Sequence, residues 1–393
     1  MSTRNSPDLI VVGAGVVGAA CAYYAARSGL SVIVIDRGPV AGGTTGAGEG
    51  NLLVSDKEPG PELELALLSA RLWRELSDVL PSRVEYEAKG GLVVASGEAS
   101  LTVLRDLAAR QEWAGVKNQE VAGDGLRDLE PHLSPDLAGG FHYPQDAQVQ
   151  PALAAAHLLR AGQDSGRVLL RLGEEVTGVL KSRSGEVRGV RTASGDLHAP
   201  WVVNAAGTWG GRLAGLAGVD LPVLPRRGFV LVTEPLPRVV RHKVYTADYV
   251  ADVASGSAAL QTSAVVEGTP AGPVLIGASR ERVGFDRTLS VEALRRLAAQ
   301  ATRLFPVLSR VRAIRTYAGF RPYLPDHLPA IGPDPRIPGL LHACGHEGAG
   351  IGLAPATGMI VARILSGGEL PMDVAPFRPD RFKQASPGTP RTP

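Results

Sequence analysis

The stretch LIVVGAGVVGAACAYYAARSGLSVIVID, residues 9–36, decides the fold of this chain. It opens with a short β-branched apolar run that is typical of a buried strand. The run breaks at once into three glycines with the spacing GxGxxG, namely Gly13, Gly15 and Gly18. A second apolar run then ends at Asp36. The pattern predicts a strand, a helix that lies close to the sheet, and a second parallel strand.

Each glycine in this motif has a physical role in a dinucleotide site. Gly13 allows the tight turn, Gly15 lets a pyrophosphate approach bare backbone, and Gly18 lets the helix pack closely on the sheet. Asp36 stands at the end of the second strand, where a carboxylate can accept hydrogen bonds from ribose hydroxyls. A glycine turn without a ligand is the alternative, and the complete strand-helix-strand context favours the dinucleotide site.

Composition places the chain among ordinary globular proteins. With 393 residues the chain is long enough for two interleaved domains. Of these residues, 44% are hydrophobic and 20% are charged. The formal net charge of +2, without a dense basic block, argues against nucleic-acid binding. Cys21 and Cys344 fit neither a disulfide framework nor a metal cluster, and we expect both to be small buried residues in a reducing compartment. We expect a cytoplasmic protein with no metal and no membrane span.

The order of predicted elements indicates a discontinuous α/β domain. The strand at residues 201–205 is followed by a small-residue turn into a helix, so nucleotide contact is expected to resume there. Strands are also expected at residues 84–86 and 243–250, and the last helix at residues 355–365. The expected first domain comprises residues 1–83, 145–221 and 323–382, the second an antiparallel-sheet domain of residues 84–144 and 222–322, and the disordered tail residues 383–393.

Three separated stretches resemble one family. They are the opening GAGVVG unit with Asp36, AGFRPYLPDHLPAIG at residues 318–332, and HEGAGIGLAPATG at residues 346–358. These motifs resemble the FAD-dependent D-amino-acid oxidase superfamily, and within it glycine oxidase and the β subunits of D-hydroxyproline and opine dehydrogenases. The segment GASRERVGFDRT, residues 277–288, is similar to the same group. The resemblance runs from about residue 8 to residue 382.

The resemblance implies a Rossmann-like FAD-binding domain of the glutathione-reductase type with an interleaved antiparallel-sheet substrate domain. It implies non-covalent FAD, since no cysteine lies near Arg321. The predicted FAD contacts are Gly13, Gly15, Val16, Val17, Gly18, Asp36, Arg37, Thr44, Thr45, Gly48, Gly50, Asn51, Val176, Ala206, Gly207, Trp209, Arg321, His346, Gly348, Gly350, Ile351, Gly352 and Leu353.

The substrate residues also follow from the resemblance. It implies that Arg321 holds the substrate carboxylate, a task that suits a planar guanidinium, although an ion pair with Asp326 is the alternative. Glycine oxidase carries a second arginine where Gly348 stands, which disfavours glycine as the substrate here. We expect Glu347 to face the substrate amine, the alternative being a carboxylate that merely sits near a helix N-terminus. Tyrosines are candidates to line the pocket, with Tyr249 as the catalytic candidate among Tyr245, Tyr249, Tyr317 and Tyr323.

The expected reaction is FAD-dependent oxidation of a Cα–N bond by hydride transfer to flavin N5, which gives an imine. A small amino acid or a cyclic imino acid is the expected substrate, with D-proline-like and D-hydroxyproline-like compounds favoured. Three alternatives remain open: a glycine oxidase that releases glyoxylate, ammonia and peroxide, a flavin-bearing β subunit of a hetero-oligomeric opine or amino-acid dehydrogenase, and an NAD-dependent dehydrogenase. The expected partners are the amine substrate and either O2 or an electron-accepting protein, in a homo- or hetero-oligomer.

Overall fold

The computed structural model describes residues 6–254 and 256–382, with the side chains of residues 251–254 left out. The tail predicted at residues 383–393 lies outside the described residues.

Helices and strands alternate along most of the described chain. The α-helices among the described residues are α1 Val16–Arg27, α2 Pro61–Ser77, α3 Glu98–Trp113, α4 Leu126–Leu129, α5 Pro151–Asp164, α6 Gly210–Leu216, α7 Ala247–Ala254, α8 Val291–Leu304 and α9 Gly350–Ser366. The strands are β1 Leu9–Val12, β2 Val32–Asp36, β3 Asn51–Leu52, β4 Gly91–Ala95, β5 Gln119–Ala122, β6 Gly139–Tyr143, β7 Ala147–Gln148, β8 Val168–Leu172, β9 Val176–Lys181, β10 Val187–Thr192, β11 Gly195–His198, β12 Trp201–Asn204, β13 Leu224–Thr233, β14 Lys243–Thr246, β15 Gln261–Gly268, β16 Val274–Arg280, β17 Ala313–Tyr323, β18 Ala330–Pro333 and β19 Leu340–Cys344.

The chain divides into two compact units. The first unit contains the described parts of residues 1–46, 151–225 and 321–393, and the second contains residues 47–150 and 226–320. These boundaries differ from the expected ones, because the segment from residue 47 onward belongs to the second unit. There β3 pairs with β7, and this pairing joins Asn51 to Gln148. Which unit binds the cofactor and which binds the substrate stays a prediction.

A six-stranded sheet forms the centre of the first unit, in the order β18-β19-β12-β1-β2-β8. All neighbours in it are parallel except β18 and β19, which are antiparallel. The carboxyl ends of β19, β12, β1 and β2 therefore meet at one edge of the sheet, and each of these strands leads into a glycine-containing loop. This edge is where nucleotides bind in parallel α/β sheets.

Helices α1 and α9 pack against each other in the first unit, and glycine allows their close approach. A Cβ atom at Gly358 of α9 would stand 2.6 Å from the backbone carbonyl of Ala20 in α1. Both helices follow strands of the same sheet. This packing thus fixes the N-terminal turns of α1 and α9 relative to each other.

An eight-stranded sheet forms the centre of the second unit, in the order β17-β13-β16-β15-β14-β4-β6-β5. The expected antiparallel sheet is wrong at one point, because β14 and β4 are parallel. One face carries an apolar cluster with α8 that includes Phe229, Val244 and Leu297. Lys243 and Tyr245, which flank Val244 on β14, are fully buried as well. Since side chains alternate along a strand, the opposite face of the sheet is buried and polar.

Three predicted elements are wrong. Residues Ser82–Val84 form a short 3-10 turn, and Glu85 follows with a positive φ of 55°, so no strand forms at residues 84–86. Strand β14 ends at Thr246 and the chain turns into α7, which places Tyr249 on a helix. Helix α9 begins at Gly350, with Pro355 inside it, because the low helix propensity of two glycines hides its first turn from the sequence pattern.

One helical stretch among the described residues, Glu347–Ser366, is long and apolar enough to span a membrane by length and composition. Its most apolar window is 56% buried within the structure. It contains α9, which packs against α1 as a core helix.

Candidate active site

Two glycine positions at the junction of β1 and α1 have no room for a side chain. Gly13 has φ +119°, and a Cβ atom there would stand 2.3 Å from the carbonyl oxygen of Ala205, which follows β12. A Cβ atom at Gly18 would stand 1.9 Å from the carbonyl oxygen of Gly13. Both distances are far below van der Waals contact. The predicted roles of Gly13 in a tight turn and of Gly18 in close helix packing therefore agree with the geometry.

Asp36 holds this turn at the end of β2. Its Oδ2 atom accepts a hydrogen bond of 2.8 Å from the backbone N–H of Ala14, and its Oδ1 atom accepts one of 2.8 Å from Gly38. Thr45 Oγ1 accepts a bond of 3.1 Å from the N–H of Val16, the first residue of α1. Each carboxylate oxygen can accept more than one hydrogen bond, so Asp36 has capacity left for a ribose hydroxyl.

The loop after β2 and the turn after β12 lie side by side. The guanidinium carbon of Arg37 lies 4.3 Å from the ring centroid of Trp209. Thr44 Oγ1 and Thr208 Oγ1 are 3.2 Å apart and share a hydrogen bond. Residues predicted from separate motifs thus form one continuous surface at the carboxyl edge of the sheet.

His346 is a buried residue at the end of the β19 loop. Its Nε2 atom is 3.0 Å from Thr357 Oγ1 of α9. Burial lowers the pKa of His346 to about 3, so the imidazole is neutral near pH 7 and anchors the loop. Gly350, the first residue of α9, lies against it, since a Cβ atom there would be 3.4 Å from the His346 Cβ.

Arg321 lies beside Gly348 in the first unit. A Cβ atom at Gly348 would stand 3.5 Å from both Cδ and Nε of Arg321. Asp326, the alternative partner for Arg321, is instead held by Arg381 through bonds of 2.6 and 3.1 Å. The structure therefore does not support the interpretation in which Arg321 exists to neutralise Asp326.

Glu347 pairs with a residue that the sequence analysis missed. Its Oε2 atom lies 2.9 Å from His327 Nδ1. Both residues adopt positive φ angles, +47° for Glu347 and +62° for His327, which are uncommon for residues other than glycine. His327 lies within the quoted motif AGFRPYLPDHLPAIG, but nothing in the motif indicates that it reaches Glu347.

The remaining predicted contacts of the first unit lie on several elements. Gly15 immediately precedes α1 and Val17 lies in its first turn, while Val176 begins β9 of a separate three-stranded sheet and is buried in the apolar core. The others lie in the turn after β12 and in the first turn of α9: Ala206, Gly207, Ile351, Gly352 and Leu353.

Four predicted site residues belong to the second unit. Gly50 donates its N–H to Glu267 Oε2 at 3.2 Å, Gly48 accepts a 3.3 Å bond from the Tyr317 hydroxyl, and Asn51 pairs with Gln148. Tyr249 packs its ring edge-on against Tyr245 with centroids 5.0 Å apart. The roles of these four residues stay predictions.

The described part of the chain contains neither an accessible cysteine nor a cluster that could bind a metal ion. Cys21 and Cys344 are buried, and burial raises the pKa of each thiol to about 12, as expected of unreactive residues. No group of three or more His, Cys, Asp or Glu side chains among the described residues could hold a metal ion.

The parallel sheet, the glycine turn and the carboxylate after β2 define a dinucleotide-binding protein. The residues fit a dinucleotide because Gly13 and Gly18 have no room for a side chain and Asp36 stands at the sheet edge. Residues 8–364 match the family model for FAD dependent oxidoreductases, named DAO, and the chain belongs to this family. It is thus an FAD-dependent enzyme that oxidises amino acids or similar amines, an amino-acid oxidase or dehydrogenase.

Similar proteins extend over nearly the full chain. Hydrogen cyanide synthase subunit HcnC of Pseudomonas aeruginosa is 31% identical, over 96% of this chain and 96% of that protein. Glycine oxidase of Pseudomonas putida is 31% identical, over 95% of this chain and 99% of that protein. Among solved structures, glycine oxidase from Geobacillus kaustophilus has a TM-score of 0.86 at 27% identity and covers 96% of this chain and 99% of its own. L-proline dehydrogenase from P. horikoshii, at 24% identity and a TM-score of 0.86, covers 96% of this chain and 98% of its own and shows the fold alone.

Proposed function

We propose that this protein oxidises the Cα–N bond of a small amino acid or cyclic imino acid, with D-proline-like and D-hydroxyproline-like compounds as the favoured substrates. The product is the corresponding imine, which is hydrolysed by water or stays cyclic. The observation that carries this proposal is the position of Arg321, whose stem lies against the side-chain-free Gly348. A planar guanidinium can bind a substrate carboxylate through two parallel hydrogen bonds.

Residues of the first unit would hold FAD. The glycine turn after β1 accommodates the pyrophosphate, Asp36 accepts from the ribose, and the first turn of α9 provides backbone N–H groups and the positive end of a helix dipole. When bound, FAD supplies the two-electron acceptor for the hydride that leaves the α-carbon. The protein itself binds and orients the amine so that this carbon faces the acceptor.

Arg321 and Glu347 are proposed to orient the substrate from its two ends. Arg321 binds the carboxylate, and Glu347 accepts a hydrogen bond from the amine, which must be neutral to donate its lone pair as hydride leaves. His346 cannot serve as the base, because burial holds its pKa near 3 and Thr357 occupies its Nε2 atom. Tyr249 remains a proposed catalytic residue.

An anaerobic screen of D- and L-amino acids tests this proposal. Reduction of FAD is followed by the loss of its visible absorbance, with prolinamide as the matched compound that lacks a carboxylate. We expect reduction by D-proline-like acids and at least about tenfold slower reduction by the amide. Equal rates for acid and amide, or no reduction by any amino acid, would contradict the proposal.

A second candidate is a flavin-bearing subunit of a larger dehydrogenase. It is favoured by the 31% identity to HcnC, which is named as a subunit of hydrogen cyanide synthase. This arrangement predicts a stable partner in pull-down experiments and dye reduction without oxygen consumption. The glycine oxidase alternative predicts oxygen consumption with glycine and release of peroxide. The cytoplasmic location and the oligomeric state stay predictions.

A further inference from the structure

Arg280, the last residue of β16 in the second unit, is a buried arginine with unusual surroundings. Only 4% of its surface is exposed. Its Nη1 atom is buried and has no hydrogen-bond partner among the described residues. Among the side chains that the structure describes, the guanidinium has one interaction, a stacking contact in which its carbon lies 5.0 Å from the Tyr249 ring centroid. Buried polar groups of this kind are rare and need an explanation.

Another arginine of the same sheet shows how a buried guanidinium is normally satisfied. Arg227 is 5% exposed, and its Nε atom donates to Glu281 at 2.9 Å. Its Nη1 atom donates to Asp286 at 2.7 Å. Two carboxylates thus compensate the charge of Arg227, whereas no described carboxylate pairs with Arg280. A buried charge without compensation is costly, so the fold holds the Arg280 guanidinium at the expense of stability.

The stacking contact leaves the hydrogen-bonding edge of Arg280 available. Tyr249 covers one face of the guanidinium plane, while the N–H groups point along that plane. Tyr249 is itself supported from the side by Tyr245, 5.0 Å away. Gln261 lies opposite Arg280 in the β15-β16 pair, so its polar side chain is a cross-strand neighbour of the guanidinium. Gln261 also accepts a 3.1 Å hydrogen bond from Arg226. A plane fixed by stacking, with donors along its edge, matches the geometry of a carboxylate.

We propose that Arg280 binds a carboxylate group of a small molecule. This inference rests on the proposed function in taking the ligand to be a carboxylated amine, and it concerns residues of the second unit alone. The carboxylate would be either the one on the α-carbon or a second one elsewhere in the substrate. Both sources require the same charge-assisted, in-plane hydrogen bonds, and the experiment distinguishes them.

The test measures binding of non-oxidisable probes to the FAD-loaded enzyme by calorimetry and by the shift of the flavin spectrum. The probes are pyrrole-2-carboxamide, pyrrole-2-carboxylate and pyrrole-2,5-dicarboxylate, which carry none, one and two carboxylates. Arg280→Met removes the charge and Arg280→Lys keeps it without the bidentate edge. Arg282→Met is the matched control, because Arg282 stands two residues away and donates to the Gly256 carbonyl at 2.9 Å.

We expect Arg280→Met to lower the affinity for a carboxylate probe by about 10- to 100-fold, because charge-assisted hydrogen bonds are lost. The affinity for the carboxamide should stay within about twofold of the wild-type value. Weaker binding of both acids identifies the α-carboxylate, and weaker binding of the dicarboxylate alone identifies a second carboxylate. Arg280→Lys should be intermediate and Arg282→Met unchanged. Since Arg280 has no compensating partner, Arg280→Met should not lower Tm by more than about 2 °C.

Unchanged affinity of Arg280→Met for both acids would overturn the proposal. An equal loss for the acids and the carboxamide would also overturn it, as would a lower Tm with unchanged selectivity, since both indicate a structural role. These outcomes are separable from failure of the proposed function, because probe binding requires no amine oxidation. An enzyme that oxidises D-proline but binds the acids equally well with Arg280 or Met refutes only the role of Arg280.

Discussion

Arg321 and Gly348 are neighbours in the first unit: a Cβ atom at residue 348 would stand 3.5 Å from the Arg321 Cδ and Nε atoms. This is ordinary van der Waals contact, and Gly348 is exposed with no positive φ angle. Position 348 therefore tolerates a side chain sterically, and folding alone does not require a glycine there.

A larger residue at position 348 should impair activity without affecting stability. Gly348→Leu would cover the Arg321 stem and reduce kcat/KM for carboxylated amines by at least about tenfold, as a displaced substrate reacts slowly. Gly348→Ala, with a single contacting carbon, serves as the mild control. Steady-state kinetics and Tm measurements check this. Unchanged kcat/KM for Gly348→Leu would remove residue 348 from the substrate site.

Replacing Asp36 should weaken FAD binding. The Asp36→Ala variant loses the acceptors for the Ala14 and Gly38 N–H groups and the predicted ribose acceptor. We expect the Kd for FAD to rise by about 10- to 100-fold, measured by titration of the apoprotein. Asp8→Ala is the control, because Asp8 directly precedes β1, at the end of the strand away from the glycine turn. Its Oδ2 atom accepts a hydrogen bond from the Ser31 N–H. A Kd within about twofold of the wild type would contradict the role of Asp36.

The contact of α1 with α9 predicts a large stability effect at one glycine. Gly358→Ala would place a carbon 2.6 Å from the Ala20 backbone. We expect the free energy of unfolding to fall by about 1–3 kcal/mol from overpacking. Gly215→Ala in α6 meets no atom within 4 Å and should be neutral or slightly stabilising. Denaturant unfolding of both variants checks this, and equal stabilities would show that α1 can move away from α9.

Asp146 should make the stability of the second unit depend on pH. Burial raises its pKa to about 7, although Ser55 and the Val54 N–H donate to it. A carboxyl group with a pKa higher in the folded than in the unfolded state stabilises fully below the unfolded pKa of about 4 and loses that contribution as pH rises through 7. The loss is on the order of 2–4 kcal/mol.

Asp146→Asn isolates this effect, because asparagine resembles the protonated carboxyl group and does not titrate. We expect the Tm of the variant relative to the wild type to increase between about pH 5 and about pH 8.5. Thermal unfolding across that range measures it. Parallel curves for the two proteins would show that Asp146 does not change its protonation state there.

The sequence predicted the first unit well where backbone geometry depends on residue type. The strand before Gly13, the turn after it and the strand that ends at Asp36 agree with the structure, since β-branched runs and glycine turns each specify local conformation. The FAD-dependent family and the α/β fold are confirmed. The strand predicted through Tyr249 failed because the segment around it is equally compatible with a helix, and tertiary packing selects between them.

The polar pairs were beyond the reach of sequence reasoning. His327 and Glu347 are 20 residues apart, and their contact depends on two positive φ angles that neither residue type requires. Arg280 stands in a segment with three arginines, Arg280, Arg282 and Arg287, and only the folded sheet shows which of them is buried. Patterns of residue type indicate elements, whereas the burial of an individual charge depends on how those elements pack.

Anaerobic reduction of the FAD-loaded enzyme by D-proline, compared between the wild type and Arg321→Ala, tests the central claim most directly. The account predicts loss of the flavin absorbance in the wild type and a second-order rate constant at least about 100-fold lower in the variant, because a bidentate carboxylate contact is lost. Reduction of the variant at the wild-type rate by D-proline and other carboxylated amines would contradict it.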